Sequence, residues 1–319
     1  MLSPTLYDAL IIGAGPAGLS VATGLARQLH TAAVFSSSVF RNAKVKHMHN
    51  VLGWDHRSPT DFRAKARADL LARYSTVQFY DEVEIESVSR QSDGRFEARD
   101  VRGDVWRGKK LVLAMGVKDI FPDIEGYEDC WGETIHHCLF CDGYEKRGAP
   151  SAGVLATDVL ETNQRAMHVN RMARRLVDKV TIYTNGNNEQ ASTFREAIAA
   201  LDGFKVDPRP FMKLEKKREM DGNEPKIIIH FKDGTCAEEA FLAHGPRYVL
   251  NGPFAQQLSL ETVETGELKV SPMFNETSMP GVFAVGDCAT PMKAVTPAIA
   301  MGTGTAAAIV MQLQEEKQV

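Results

Sequence analysis

The sequence predicts an α/β protein with two Rossmann-like, three-layer dinucleotide-binding domains, the second inserted into the first. A glycine-rich strand–turn–helix pattern opens the chain, and a second glycine-containing strand and helix close it. Between these ends, strand and helix patterns alternate, which is typical of a parallel sheet. We therefore expect the first domain at residues 1–119 and 246–319, and the inserted domain at 120–245.

Length and composition are those of an ordinary globular chain. The 319 residues allow about two domains, each with its own core. The net charge is −4, with basic and acidic residues mixed along the chain, which argues against a nucleic-acid or anionic-membrane partner. We find no apolar run of about 18 residues that would predict a membrane span.

Two further features favour a cytoplasmic protein. The apolar N-terminal stretch has no basic region before it, and Asp8 precedes it, which is not typical of a signal peptide. The cysteines are too few and too scattered for a disulfide scaffold, so a close pair indicates redox or metal chemistry. They are Cys130, Cys138, Cys141, Cys236 and Cys288.

A dinucleotide site is predicted where the first strand ends. The apolar run 9–12 leads into a G-x-G-x-x-G motif and an alanine-rich helical segment. The first glycine permits a tight turn, the second a close approach of pyrophosphate, and the third close packing of helix on strand. The expected binding loop is Gly13, Ala14, Gly15, Pro16, Ala17 and Gly18. The next strand ends in Ser36 where an acidic residue normally bonds the ribose, and a hydroxyl bonds it less strongly.

Three segments together resemble the fingerprints of two-dinucleotide-binding flavoproteins. Besides the N-terminal loop, these are "LVLAMG" at 111–116 and "MPGVFAVGDCAT" at 279–290, and the family's closing helix is matched by 293–309. The resemblance implies FAD, with Asp287 contacting the ribityl hydroxyls and the start of the closing helix beside the flavin ring. The other cofactor residues that it implies are Ala114, Gly116, Gly286, Val295 and Thr296.

The segment 41–55 holds several polar side chains. In reductase-like proteins this segment loops near the flavin, so the resemblance makes Arg41, Asn50 and Gly53 cofactor candidates. The spacing of His47 and His49 matches a metal site only by coincidence, and we expect no bound metal.

The inserted domain departs from the thioredoxin reductase branch of the pyridine nucleotide–disulfide family, which it otherwise resembles. In that branch the domain opens with G-x-G-x-x-A and binds NADPH. Here "SAGVLATDVLETNQRAM", at 151–167, keeps only Gly153, and the next strand ends in Thr184, Asn185 and Gly186 without an arginine cluster. Because a phosphate has few groups to hold it there, we expect the nicotinamide site to be lost.

The stretch "HHCLFCDGYE", at 136–145, admits three interpretations: a zinc site, an inert pair of cysteines, or a redox disulfide. A structural zinc site needs about four ligands, and the chain has no second C-x-x-C. C-x-x-C spacing favours reversible disulfide chemistry. Thioredoxin reductases carry C-x-x-C-D-G at this place, which implies Cys138 as the interchange thiol, Cys141 as the flavin-facing thiol and Asp142 as the acid–base group. His136 and His137 are either thiol bases or residues without a catalytic role.

A flavin beside a redox dithiol, without a nicotinamide site, predicts that electrons enter from a dithiol and leave to O₂. The whole chain resembles the fungal dithiol oxidases of the gliotoxin type, which close the disulfide of epipolythiodioxopiperazine toxins. It departs from them at Ser36 and at Asp142, where such oxidases often carry histidine. The resemblance implies a small-molecule dithiol substrate and a homodimer. The alternatives are a thioredoxin reductase with an unusual electron donor, and a flavin redox sensor without turnover.

Overall fold

The computed structural model describes residues 5–218 and 225–316. Its strands are β1 Leu6–Ile12, β2 Ala32–Ser36, β3 Val77–Asp81, β4 Ile85–Arg90, β5 Phe96–Asp100, β6 Val105–Leu113, β7 Val117–Ile120, β8 Ile135–His136, β9 Ala149–Leu155, β10 Val177–Tyr183, β11 Phe204–Asp207, β12 Phe211–Lys217, β13 Lys226–Phe231, β14 Cys236–Glu239, β15 Leu242–Ala243, β16 Arg247–Leu250 and β17 Val282–Ala284. Its helices are α1 Pro16–Arg27, α2 Pro59–Arg73, α3 Tyr127–Cys130, α4 Leu139–Asp142, α5 Asn163–Arg174, α6 Asn188–Ile198, α7 Phe254–Gln257 and α8 Val295–Glu315.

The described chain divides into two units. The first comprises 5–43, 57–118 and 249–316, and the second comprises 44–56 and the described part of 119–248. The predicted insertion of one α/β unit into another is therefore present. The short segment 44–56, which the sequence prediction placed in the first domain, belongs to the second unit.

The first unit is built on a sheet with the strand order β3-β2-β1-β6-β5-β4, and β17 also pairs with β6. The pairs β1–β2, β1–β6, β2–β3 and β6–β17 are parallel, whereas β4, β5 and β6 form an antiparallel meander. The apolar runs of β1 and β6 are buried on both faces, as expected for central parallel strands. The parallel strands β1, β6 and β17 therefore end at one edge of the sheet.

Helices α1 and α8 pack closely because small residues face each other. A Cβ on Gly24 would lie 2.4 Å from the Cβ of Ala306, and one on Gly302 would lie 2.5 Å from the carbonyl oxygen of Ala17. By length and composition α8 could cross a bilayer, although the sequence analysis found no such run. Its buried residues Ala308, Ile309 and Leu313 instead belong to the core of the first unit.

The second unit has a parallel sheet with the order β11-β10-β9-β15-β8 and an antiparallel sheet β12-β13-β14. Strand β9 is central, and its residues Ala152, Val154 and Leu155 are buried. Residues 219–224, between β12 and β13, lie outside the described residues. The α/β class predicted from the alternating pattern is confirmed.

Candidate active site

The glycines of the first loop have separate structural roles. Gly13 has a φ of +111°, and a Cβ there would lie 2.3 Å from the Ala114 carbonyl oxygen, so only glycine fits beside the end of β6. A Cβ on Gly18 would lie 2.0 Å from the Gly13 carbonyl oxygen. These two glycines let α1 start directly against the sheet.

Gly15 differs from its neighbours because a Cβ there would meet no atom within 4 Å. It is the N-cap residue of α1, which has no side-chain cap, and Pro16 is the first helical residue. The backbone N–H groups at this helix start, in the loop from Ala14 to Ala17, are therefore suited to bind a pyrophosphate. This loop fits the dinucleotide that the sequence predicts.

The predicted ribityl-binding aspartate lies on a turn beside this loop. Asp287 is in the 3-10 turn Gly286–Cys288 that follows β17, and Gly286 has a φ of +76°. A Cβ on Gly286 would lie 3.0 Å from the Cβ of Ala17, so the turn abuts the first turn of α1. Arg41 Nη1 donates a hydrogen bond to Asp287 Oδ2 at 2.9 Å, which brings two predicted cofactor residues together.

The other predicted cofactor positions of the first unit flank the same sheet edge. Gly116, with a φ of +69°, follows β6, while Val295 and the exposed Thr296 begin α8. Ser36 ends β2, is buried, and its Oγ accepts a hydrogen bond from the Ser38 N–H at 3.2 Å. The Ser36 hydroxyl thus already stabilises its own turn.

In the second unit, Cys138 and Cys141 form a disulfide. Cys138 is the N-cap of α4, and its carbonyl oxygen accepts hydrogen bonds from the N–H groups of Cys141 and Asp142, both at 3.1 Å. The predicted pairing is confirmed. In this oxidised state neither sulfur is a thiolate that could bind zinc.

Asp142 follows the disulfide directly. Burial raises the pKa of its carboxyl to about 6, with the nearby Glu145 acting in the same direction and His49 opposing it. A carboxyl with this pKa exchanges a proton close to neutral pH. Of the three acid–base candidates from the sequence, Asp142 directly follows Cys141 and His137 directly precedes Cys138.

The two histidines before the disulfide have opposite environments. His136 lies on β8, is 5 % exposed, and its ring nitrogens have no hydrogen-bond partner among the described residues. Burial, together with Lys146 and His137, lowers the pKa of His136 to about 3, so its ring is neutral. His137 is exposed and its ring stacks on Trp131. Only His137 of this pair is accessible to a substrate.

Segment 44–56 packs on the disulfide turn, which the sequence reasoning missed. The Asn50 side-chain amide donates to the Phe140 carbonyl oxygen at 2.7 Å, and His49 Nδ1 donates to the Cys141 carbonyl oxygen. The other nitrogen of His49 lies 3.1 Å from His56 Nδ1 and 3.4 Å from Glu145 Oε1. Asn50, a predicted cofactor residue, therefore holds the redox turn. No periodicity could have indicated this contact, because His49 and Cys141 are far apart in the chain.

A carboxylate lies in the loop between β9 and α5, where the sequence predicts a lost nicotinamide site. Strand β9 ends at Leu155 and α5 begins only at Asn163, with Asp158 in between at a φ of +54°. His244 Nε2 and Arg247 Nε lie 3.3 Å and 2.9 Å from the Asp158 carboxylate. The hydrogen bond from His244 holds the pKa of Asp158 below its ordinary value, so the carboxylate is charged.

The start of α5 is also occupied by its own chain. The Thr162 side chain accepts a hydrogen bond from the Arg165 N–H at 3.4 Å, which caps the helix. A cavity of about 410 Å³ remains at this edge of the sheet, and its charged lining residues are Asp158, Glu161 and Arg247. The Thr162 cap leaves fewer free N–H groups at the start of α5 for a pyrophosphate, and Arg247 is already paired with Asp158. The missing glycine motif thus coincides with a loop whose polar groups are bound by its own chain.

Comparison with known proteins gives concordant matches. The family model described as pyridine nucleotide-disulphide oxidoreductase matches residues 7–302. Thioredoxin reductase aclD of Aspergillus oryzae is 44% identical over 314 residues, covering 98% of both chains. Thioredoxin reductase sirT of Leptosphaeria maculans is 41% identical, covering 97% of this chain and 95% of the other. The crystal structure of an oxidoreductase from Agrobacterium tumefaciens has a TM-score of 0.83 at 26% identity, covering 97% of this chain and 99% of that one.

Proposed function

Because the chain belongs to the pyridine nucleotide-disulphide oxidoreductase family and is a thioredoxin reductase-like oxidoreductase, we propose that it is an FAD-dependent dithiol oxidase. It closes an intramolecular disulfide in a small-molecule dithiol, with O₂ as the electron acceptor and H₂O₂ as the product. The observation that carries this assignment is a redox disulfide in a unit whose nicotinamide position holds the Asp158 carboxylate. Electrons then enter from a dithiol.

The exchange steps take place at the Cys138–Cys141 disulfide. A substrate thiolate attacks Cys138 Sγ, the bond between the two cysteines breaks, and Cys141 leaves as a thiolate. The second substrate thiol gives its proton to Asp142 and attacks the substrate sulfur of the mixed disulfide, which releases Cys138. The substrate loses two electrons and two protons as its own disulfide forms, and the two cysteines gain the electron pair.

Cofactor binding is assigned to the first unit. The N–H groups at the start of α1 would bind the pyrophosphate, and Asp287, positioned by Arg41, would bind the ribityl chain. Bound FAD would supply the redox chemistry that links the cysteine electron pair to O₂. The open space at Gly15 supports this assignment.

The substrate surface includes exposed apolar side chains beside the disulfide. Phe140, between the two cysteines, is 73% exposed, and Tyr144 is 63% exposed. They offer flat apolar contacts to a compact ring that carries two thiols, such as an epipolythiodioxopiperazine. We place the enzyme in the cytoplasm, without a nucleic-acid or membrane partner, on the basis of its composition. Family resemblance implies a homodimer, and light scattering on the purified protein measures this oligomeric state.

A thioredoxin reductase activity driven by NADPH is the alternative. The cavity that remains at the end of β9 favours it, as do the names of the relatives. A flavin redox sensor without turnover is a further alternative, and it requires that no dithiol-dependent peroxide forms.

Oxygen uptake with a small dithiol tests the assignment. We expect stoichiometric H₂O₂, and we expect Cys138→Ser and Cys141→Ser to lower the rate by at least about a thousandfold, because each removes a nucleophile of the exchange. Cys236→Ser, which changes an exposed cysteine outside the site, is the control and should retain the rate. Oxygen uptake that survives both active-site substitutions would contradict the proposal.

A further inference from the structure

Three donor atoms of the second unit converge beside the redox turn. His49 Nε2 lies 3.1 Å from His56 Nδ1 and 3.4 Å from Glu145 Oε1, and all three donor atoms lie within 4.8 Å of one another. Ligands at about 2.0–2.1 Å from a tetrahedral ion are separated by about 3.3 Å. The two spacings from His49 Nε2 are therefore close to an edge of such a coordination shell.

The tautomer of His49 directs a lone pair into this cluster. The Cys141 carbonyl oxygen can only accept a hydrogen bond, so the proton of the His49 ring is on Nδ1. Nε2 then presents a lone pair toward His56 and Glu145. A histidine that binds a metal usually donates its second ring N–H to a carbonyl or carboxylate in this way, which fixes the ring and raises its basicity.

The local backbone holds the second histidine in place. The His56 N–H donates to the Met48 carbonyl oxygen at 2.8 Å, and the Asn50 N–H donates to Asp55 Oδ1 at 3.0 Å. These bonds close the loop that carries both imidazoles. Glu145 comes from the opposite side, in the 3-10 turn Tyr144–Lys146 that follows α4. Donors from two separate segments thus meet at one point.

We propose that His49, His56 and Glu145 form a binding site for a divalent transition-metal ion, with Zn²⁺ as the ion of best fit. Two imidazoles and one carboxylate are a donor set that zinc accepts, with a fourth position left for water. The ion would link segment 44–56 to the turn that follows the disulfide. This inference rests on the second unit alone and does not depend on the direction of electron flow.

Zinc binding to tag-free, chelator-treated protein tests the site. The protein is kept oxidised so that the Cys138–Cys141 disulfide is intact, and it carries Cys236→Ser to remove the exposed free thiol. Isothermal titration should give one Zn²⁺ per chain. Co²⁺ should give the absorption of a tetrahedral ion, and Zn²⁺ should raise the melting temperature because it binds the folded chain.

His56→Gln and Glu145→Gln should each weaken Zn²⁺ binding by at least about tenfold and abolish the melting-temperature increase. His47→Gln is the matched control, because His47 stacks on His56 at 4.2 Å but gives no donor atom to the cluster. It should bind Zn²⁺ like the parent protein. Absence of stoichiometric binding in the parent, or binding that survives both ligand substitutions, would overturn the proposal and leave the cluster as a hydrogen-bonded group only.

Discussion

At the scale of single residues, burial distinguishes side chains that the sequence makes equivalent. His136 and His137 are adjacent and identical in type, yet one is buried on β8 and the other is exposed beside Trp131. Asp142 is next to a disulfide cysteine, where a proton must be moved during thiol exchange. The motif alone could name these candidates, but it could not rank them.

Asp142→Asn should lower the rate of dithiol oxidation by about 10²–10⁴-fold, because the amide cannot accept the substrate proton. Dithiol binding should change little, so the loss should be in kcat rather than in KM. Glu189→Gln, an exposed acid-to-amide change on α6, is the control. Stopped-flow reduction of the flavin by a dithiol measures the effect, and an unchanged rate in Asp142→Asn would rule out this role.

His136 should make the protein less stable in acid. Its pKa is about 3 when folded and about 6.5 when unfolded. Above about pH 6.5 the His136 ring is neutral in both the folded and the unfolded state, so it does not make the free energy of unfolding depend on pH. As the pH falls from there toward about pH 3, the free energy of unfolding decreases by up to about 1.4 kcal/mol per pH unit. The groups that face this ring are Lys146, His137 and Phe241.

His136→Leu removes this titration. Denaturant unfolding gives the free energy of unfolding at about pH 7.5 and at about pH 5. The decrease between these two pH values should be smaller by about 2 kcal/mol in the variant than in the parent. The variant should match or exceed the stability of the parent at the higher pH, because it removes buried ring nitrogens without partners. If the free energy of unfolding decreases equally in both proteins between these pH values, His136 is accessible to protons in the folded state.

At the scale of elements, sequence patterns predicted the segments whose structure depends on residues that are close to them in the chain. The glycines predicted the strand–turn–helix of β1 and α1. Their close contacts are with residues a few positions away in the chain and with the end of β6. Segment 44–56 could not be placed in this way. Its position depends on hydrogen bonds to the carbonyl groups of Phe140 and Cys141, and any residue type supplies a carbonyl.

Gly15→Ala and Gly18→Ala should separate cofactor binding from folding. A Cβ on Gly15 enters open space, so this variant should melt like the parent apoprotein but bind FAD more weakly. A Cβ on Gly18 meets the Gly13 carbonyl oxygen, so that variant should lose about 1–3 kcal/mol of apoprotein stability. Melting curves and flavin titrations compare the two, and equal melting temperatures would contradict the assigned roles.

At the scale of the whole molecule, the proposed direction of electron flow rests on a difference between the two units. In the first unit, the loop after β1 has open space at Gly15, and no side chain caps the start of α1. In the second unit, the loop after β9 holds the charged Asp158 carboxylate, and Thr162 caps the start of α5. The sequence predicted the missing glycines of the second unit. It could not predict the carboxylate network, because Asp158 and His244 are brought together only by the pairing of β9 with β15.

The most direct measurement is an anaerobic titration of the purified yellow protein with NADPH and, separately, with a small dithiol. Bleaching of the flavin absorbance reports which compound delivers electrons. We expect the dithiol to bleach one equivalent of flavin and NADPH, at the same concentrations, to leave the spectrum unchanged. Bleaching by NADPH without bleaching by the dithiol would contradict the oxidase and identify the protein as a reductase.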